Sequence, residues 1–161
     1  MFLSCERFPF TRMLAEAWPR IRAEFEALDA ELLRPWHERF LYDEGWEVFG
    51  LYALGRKLPE QCERVPETAR AVERIPGMVT AGFSVMRPGT RIRPHRGYTE
   101  AVLRCHLGLI VPPGCGLRVG GELRQWQEGQ CLVFDDTAEH EAWNVGTRSR
   151  VVLLVDFAKE A

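Results

Sequence analysis

The chain has 161 residues, 46% of them hydrophobic and 27% charged, with a formal net charge of −2 at pH 7. That length suits a single domain with a sizeable core. A near-neutral balance without any block of like charges excludes a general phosphate-binding surface, so no nucleic-acid partner is expected. No apolar run approaches the roughly 20 residues that a bilayer span needs. The start, Met1-Phe2-Leu3-Ser4-Cys5-Glu6-Arg7, meets charge too early for the apolar segment of a secretory signal. The expectation is a cytoplasmic protein without a membrane anchor.

Five cysteines (Cys5, Cys62, Cys105, Cys115 and Cys131) are widely spaced and odd in number. A zinc ribbon or disulfide framework needs paired spacings that this chain lacks, which leaves reduced thiols packed as small apolar residues.

Along the chain, residues 11–32 read as an amphipathic helix. Leu14, Trp18, Ile21, Phe25, Leu28 and Leu32 recur at three- and four-residue steps, and Pro19 marks either a kink or the true start. Pro35 follows, and Trp36-His37-Glu38-Arg39 reads as loop. Trp46 to Leu54 predicts a strand closed by Gly55. Pro66-Glu67-Thr68 opens a second helix running to about Ile75, since proline suits a first helical turn, and Pro76-Gly77 ends it.

From residue 78 the pattern changes to short β-rich stretches: Thr80–Met86, Val102–Val111, Leu117–Val119, Leu123–Trp126, Cys131–Phe134, Glu141–Asn144 and Val151–Phe157. Gly and Pro turns separate them, the pattern of a sandwich or jelly-roll barrel. The expected organisation is one domain: a helical part over about 1–76 packed on one side of a β-barrel over about 78–158.

Four histidines exist, His37, His95, His106 and His140. His95 stands at a strand end beside a turn, and His140 stands where a polar turn enters a strand. Two imidazoles on facing strands at a barrel mouth can hold one divalent metal, and neutral imidazole suits Fe(II) with coordination positions left open. Arg104 and His106 alternate in Leu103-Arg104-Cys105-His106-Leu107, so both point to one face. Arg150 begins the apolar run Val151–Val155. A guanidinium there calls for an anion: either an internal carboxylate such as Asp135, Asp136 or Glu122, or a bound dicarboxylate held by two parallel hydrogen bonds.

Five segments, taken in order, carry a resemblance: His95-Arg96-Gly97, Leu103 to Leu109, Trp126-Gln127-Glu128-Gly129, Phe134 to Glu141 and Arg150 to Asp156. With Gly45-Trp46, Phe83-Ser84-Val85-Met86 and Pro88-Gly89-Thr90, they closely resemble the aspartyl/asparaginyl β-hydroxylase family from about Trp18 onward. The resemblance implies a mainly β fold with flanking helices, a double-stranded β-helix (jelly-roll, cupin-like). It also implies an Fe(II)- and 2-oxoglutarate-dependent dioxygenase that consumes O2. His95 and His140 would ligate the iron. Arg150 and Ser84 would hold the distal carboxylate of 2-oxoglutarate. Arg104 and His106 would line the cosubstrate and substrate end, Trp46 and Met86 would lie near the cosubstrate, and Asp136 near the substrate.

The sequence departs from the usual His-x-Asp/Glu…His triad, because Gly97 stands where the carboxylate belongs; the resemblance implies water there. Cys62 matches a cysteine that is disulfide-bonded in secretory-pathway relatives, whereas its partner position is Ala69. The substrate is expected to be a small molecule, a peptide or a carrier-bound amino acid, with the β-carbon of an Asp/Asn residue foremost and a free amino acid or a lipid acyl chain as open alternatives. Two other readings stay open: a non-catalytic jelly-roll module that binds 2-oxoglutarate or metal, and a cupin-like enzyme using Mn, Ni or Zn.

Overall fold

In the computed structural model, which describes residues 1–159, β1 (Phe2–Leu3) leads into helix α1 (Phe10–Glu26), and β2 (Arg34–Pro35) precedes β3 (Trp46–Ala53). A tight turn joins β3 to β4 (Arg56–Lys57), followed by the short helices α2 (Pro59–Arg64) and α3 (Pro66–Glu73). Then come β5 (Met78–Met86), β6 (Arg91–His95), β7 (Val102–Ile110) and β8 (Cys115–Val119). The last strands are β9 (Glu122–Arg124), β10 (Cys131–Phe134), β11 (His140–Asn144) and β12 (Arg150–Ala158).

These strands form two antiparallel sheets. The larger runs β1-β10-β7-β12-β5-β3-β2 with β4 on β3, and the smaller runs β6-β11-β8-β9. This is the expected jelly roll. Period-two alternation gives the larger sheet two different faces. Val151, Leu153, Val155 and Phe157 of β12 pack with Cys105 and Leu107 of β7 against the helices. Val152 and Leu154 face the smaller sheet, with Trp46, Met86, Leu117 and Phe134. Arg104, His106, Ser84 and Arg150 fall on that second face by the same alternation, so the polar residues end up between the sheets.

Helix α1 buries Leu14, Ala17 and Ile21 at three- and four-residue spacing. It runs through Pro19, an exposed position, so Pro19 neither starts nor divides it. The predicted helix to residue 32 is too long. Asp29 takes an extended backbone and its side chain accepts from Glu31 N at 2.9 Å, which opens a separate 3-10 turn at Ala30–Leu32. Leu28, just past α1, and Leu32, in that turn, still pack against the core. The helical part is tied together by Glu24 of α1, whose carboxylate accepts from Glu67 N (2.9 Å), Thr68 N (2.7 Å) and Thr68 Oγ1 (2.7 Å). A carboxylate at the α3 N-terminus satisfies orphan donors and suits the helix dipole.

Apart from the 3-10 turns, four elements were not expected, β1, β2, β4 and α2, and of β6 only the strand end at His95 was. The predicted strand Leu123–Trp126 shrinks to Glu122–Arg124, leaving Trp126 outside any strand. All five cysteines are free, and Cys62 is buried in the helix-side core, to which Ala69 also belongs. Among the described residues no helix is long and apolar enough to cross a membrane.

Candidate metal and anion site

Strands β6 and β11 pair with His140 directly opposite His95, and the two imidazole centroids lie 4.2 Å apart. His95 Nδ1 is 2.7 Å from Arg93 O, and His140 Nδ1 is 2.9 Å from Ala138 O. A carbonyl only accepts, so each Nδ1 carries the proton and each Nε2 keeps its lone pair. Burial lowers the pKa of both rings, and that of His140 to about 3. Both lone pairs are therefore available at neutral pH.

The two rings open on a small cavity between the sheets whose wall also includes Trp46, Ser84, Arg104, His106, Trp126 and Arg150. Arg150 is the largest fully buried side chain of the described residues, 2% exposed. Its Nη2 donates to Ser84 O (3.1 Å) and Ser84 Oγ (3.0 Å), and its guanidinium lies 4.5 Å from the Trp126 ring centroid. Its Nε has no partner. The internal carboxylates considered for it are engaged elsewhere: Asp135 with Lys159 at 3.2 Å, Glu122 with Arg124 at 3.4 Å, and Asp136 near Arg104 at 3.9 Å. Burial without a counter-charge lowers the Arg150 pKa to about 9.

Two further donors converge here. Ser84 Oγ accepts from Trp46 Nε1 at 2.9 Å as well as from Arg150, so both its lone pairs are used and its O–H is left to donate. Trp126 Nε1 donates to His106 Nδ1 at 3.0 Å, which puts the His106 proton on Nε2, a buried atom with no partner. Burial, reinforced by Arg150, holds His106 well below its usual pKa and hence neutral. The cavity thus offers two lone pairs for a cation at one end and three kinds of donor for an anion at the other. That donor set fits a divalent metal together with an acidic small molecule.

Arg104 behaves differently from Arg150. It donates through Nε to Asp156 Oδ1 (2.7 Å) and through Nη2 to Asp156 Oδ2 (3.0 Å), a two-pronged buried pair. Burial works against its charge, but Asp156 more than compensates and holds the guanidinium above its ordinary value. Asp136 sits behind Gly97, whose N–H donates to Asp136 O at 2.7 Å. Both carboxylate oxygens of Asp136 are buried without a hydrogen-bond partner, and burial raises its pKa to about 6 despite Arg104. The space that a side chain at residue 97 would need is taken by that carboxylate. Among the described residues, no set of three or more His, Cys, Asp or Glu side chains is grouped as metal ligands would be.

Of the residues singled out from sequence, His95, His140, Ser84, Arg104, His106, Arg150 and Trp46 line one cavity. Met86 does not. It is fully buried in the core, paired in the sheet between Trp46 and Arg150, and supports the wall from beneath. Asp136 stands against Gly97 rather than on the wall. Sequence reasoning missed Trp126 and Asp156 as site residues. Asp156 was within reach, because Arg150, Val152, Leu154 and Asp156 share a face at period two. Trp126 is placed by a close approach: a Cβ at Gly108 would stand 2.3 Å from Gln127 O. Only glycine lets the 126–129 segment lie flat on β7.

The sequence model of the family described as Aspartyl/Asparaginyl beta-hydroxylase matches residues 15–160. The chain is 40% identical over 166 aligned residues to an ornithine lipid ester-linked acyl 2-hydroxylase of Rhizobium tropici, covering 94% of this chain and 58% of that protein. It is 35% identical over 156 residues to the Homo sapiens aspartyl/asparaginyl beta-hydroxylase, covering 90% and 20% respectively. The chain therefore spans little more than half of one relative and a fifth of the other. Among solved structures, an oxidoreductase of the 2OG-Fe(II) oxygenase family from Burkholderia pseudomallei superposes with a TM-score of 0.61 at 15% identity, over 89% of this chain and 78% of that one. A Pseudomonas putida prolyl-4-hydroxylase gives 0.58 at 19% identity, over 94% and 100%. At such identities the likeness is one of fold.

Proposed function

The chain belongs to the aspartyl/asparaginyl β-hydroxylase family, and from that membership we propose that it is an Fe(II)- and 2-oxoglutarate-dependent hydroxylase of an unactivated C–H bond. The observation that carries this reading is a fully buried Arg150 with no carboxylate partner, in one small cavity with two histidines whose Nε2 lone pairs are free.

His95 and His140 would hold the metal. Arg150 and the Ser84 hydroxyl would grip the far carboxylate of 2-oxoglutarate, with Trp46 and Trp126 fixing the donors in place. The His106 Nε2–H supplies a neutral donor between the two ends. Fe(II) with 2-oxoglutarate and O2 supplies the oxidising power that puts oxygen into a C–H bond, with succinate and CO2 as co-products. The protein orients the reactants, and Ile92, Leu117, Phe134 and Leu154 keep the cavity wall dry. The names of the relatives supply two substrate classes, an Asp/Asn side chain and an ester-linked acyl chain. The sequence alone put the first foremost.

O2-dependent succinate formation by the Fe(II)-loaded protein tests the proposal. Binding of 2-oxoglutarate without succinate would indicate a sensing module. Activity restored by Mn, Ni or Zn without 2-oxoglutarate would indicate a cupin-like enzyme.

A further inference from the structure

A second cavity of about 390 Å³ opens beside the first and shares Arg104 with it. Its wall comprises Trp36, Ala53, Leu54, Thr80 and Tyr98, with Arg104 and Asp156 at one side and His37 and Glu38 at the rim. Trp36 stacks on Trp46 with centroids 4.3 Å apart and planes at 4°, so one aromatic wall runs from the cosubstrate end into this cleft. We propose that this cleft is the substrate channel and that it takes an uncharged aliphatic chain, such as the acyl tail of a neutral ester, rather than an acidic side chain. The inference rests on the hydroxylase reading above and narrows its substrate class.

The first argument is charge. A substrate carboxylate entering the cleft needs a free cation, and Arg104, the arginine that lines it, already donates two hydrogen bonds to Asp156. Asp136 lies 3.9 Å from the same guanidinium, and Glu38 adds another carboxylate at the rim. Next to the Arg104–Asp156 pair, the anions are in excess, which disfavours an Asp side chain and leaves a neutral chain unopposed.

The second argument is the lip. Leu54 is 71% exposed and holds a backbone φ of +50°, the conformation that suits Gly or Asn at the tip of a turn. A large apolar residue kept in a strained turn, facing water at the mouth of a cleft, costs stability with no packing to offset it. Such strain collects at functional sites. Tyr98, across the same opening, is 51% exposed. Its OH donates to Asp156 at 3.3 Å, so its ring is tethered over the channel.

The test uses the metal-free protein and a brominated monoacylglycerol, bromoundecanoyl glycerol, as a neutral probe that quenches tryptophan fluorescence on contact. Saturable quenching is expected, lost for the most part in Trp36→Phe. Leu54→Asn keeps the turn conformation while removing the apolar lip, and Ala53→Glu places a charge in the wall; each should weaken the probe by about tenfold or more. An Asp-containing peptide should not displace it. Absence of saturable quenching, indifference to both variants, or displacement by the peptide each overturns the proposal. The charge-transfer absorbance of Fe(II) with 2-oxoglutarate is recorded separately on the same preparations. Its absence sinks the hydroxylase reading, while the quenching result still decides what the cleft binds.

Discussion

Gly97 and Asp136 compete for the same space: a Cβ on residue 97 would stand 2.3 Å from Asp136 Oδ2 and 2.4 Å from its Cγ. Residue 97 lies two positions after His95, where a ligating carboxylate would be expected. The neighbouring carboxylate makes such a side chain impossible to add without displacement of Asp136, which is only 1% exposed. Gly97→Asp is therefore expected to cost about 1–3 kcal/mol of stability by overpacking and to leave succinate formation no faster. Combining it with Asp136→Ala should recover most of the stability. Thermal unfolding of the single and double variants checks this, and a faster Gly97→Asp single variant would count against it.

Asp136 should also leave a signature in pH. Its folded pKa of about 6 lies above the ordinary aspartate value of 3.8, so the folded metal-free protein binds this proton more tightly than the unfolded chain does. The group therefore favours folding at low pH, and that contribution is lost as pH rises from about 4 to about 6, by roughly 2–3 kcal/mol. His140, with its pKa lowered to about 3, acts in the opposite sense over the same range. The readable quantity is thus the difference between Asp136→Asn and the wild type. The variant should gain relative stability as pH rises through about 6 in urea unfolding; parallel curves would show that the burial of this carboxylate is not felt.

The metal assignment makes a direct demand on two side chains. With His95 and His140 the protein ligands, His95→Ala or His140→Ala leaves one imidazole, and Fe(II) binding should largely disappear. His37 is exposed at the cleft rim and serves as the control. Anaerobic calorimetric titration measures all three variants, and near-native affinity in either ligand variant removes that residue from the site.

Arg150 is tested through 2-oxoglutarate rather than the metal. Arg150→Ala removes a charge-assisted pair from a buried site, a loss of about 3–5 kcal/mol, or more than about a hundredfold in affinity. Arg150→Lys keeps the charge but not the two-pronged geometry, nor the stacking on Trp126, and should fall between the two. Fe(II) affinity should change far less. The charge-transfer absorbance on titrating 2-oxoglutarate into the anaerobic Fe(II)-loaded variants reports this, and wild-type affinity in Arg150→Ala would remove the anion pocket.

Much of the site was readable because alternation is a strict rule within a strand. It puts Arg104 and His106 on one face, while the apolar run after Arg150 marks that guanidinium as one in need of an anion. Strand β6 was readable only at its end, where His95 meets the turn. Arg91-Ile92-Arg93-Pro94-His95 buries only Ile92 and carries a proline, which the edge of the smaller sheet tolerates and the interior of a sheet does not. Strand β1 has two residues whose partners, Phe134 and Val133, are far along the chain, so no local pattern announces it. The pairing of Arg104 with Asp156 crosses from β7 to β12 and depends on sheet order rather than on local spacing. That order also decides which of the two arginines is left without a carboxylate.

The stacked indoles of Trp36 and Trp46 give the molecule a built-in optical gauge. Two nearly parallel rings at 4.3 Å couple their electronic transitions, and the coupled pair touches both compartments at once. Trp46 reaches the Arg150 end of the first cavity through the Ser84 hydroxyl, and Trp36 forms the wall of the cleft. Occupancy at either end should tilt one ring against the other and alter the near-ultraviolet circular dichroism. The order in which small molecules enter could then be timed without a label, a metal chromophore or turnover.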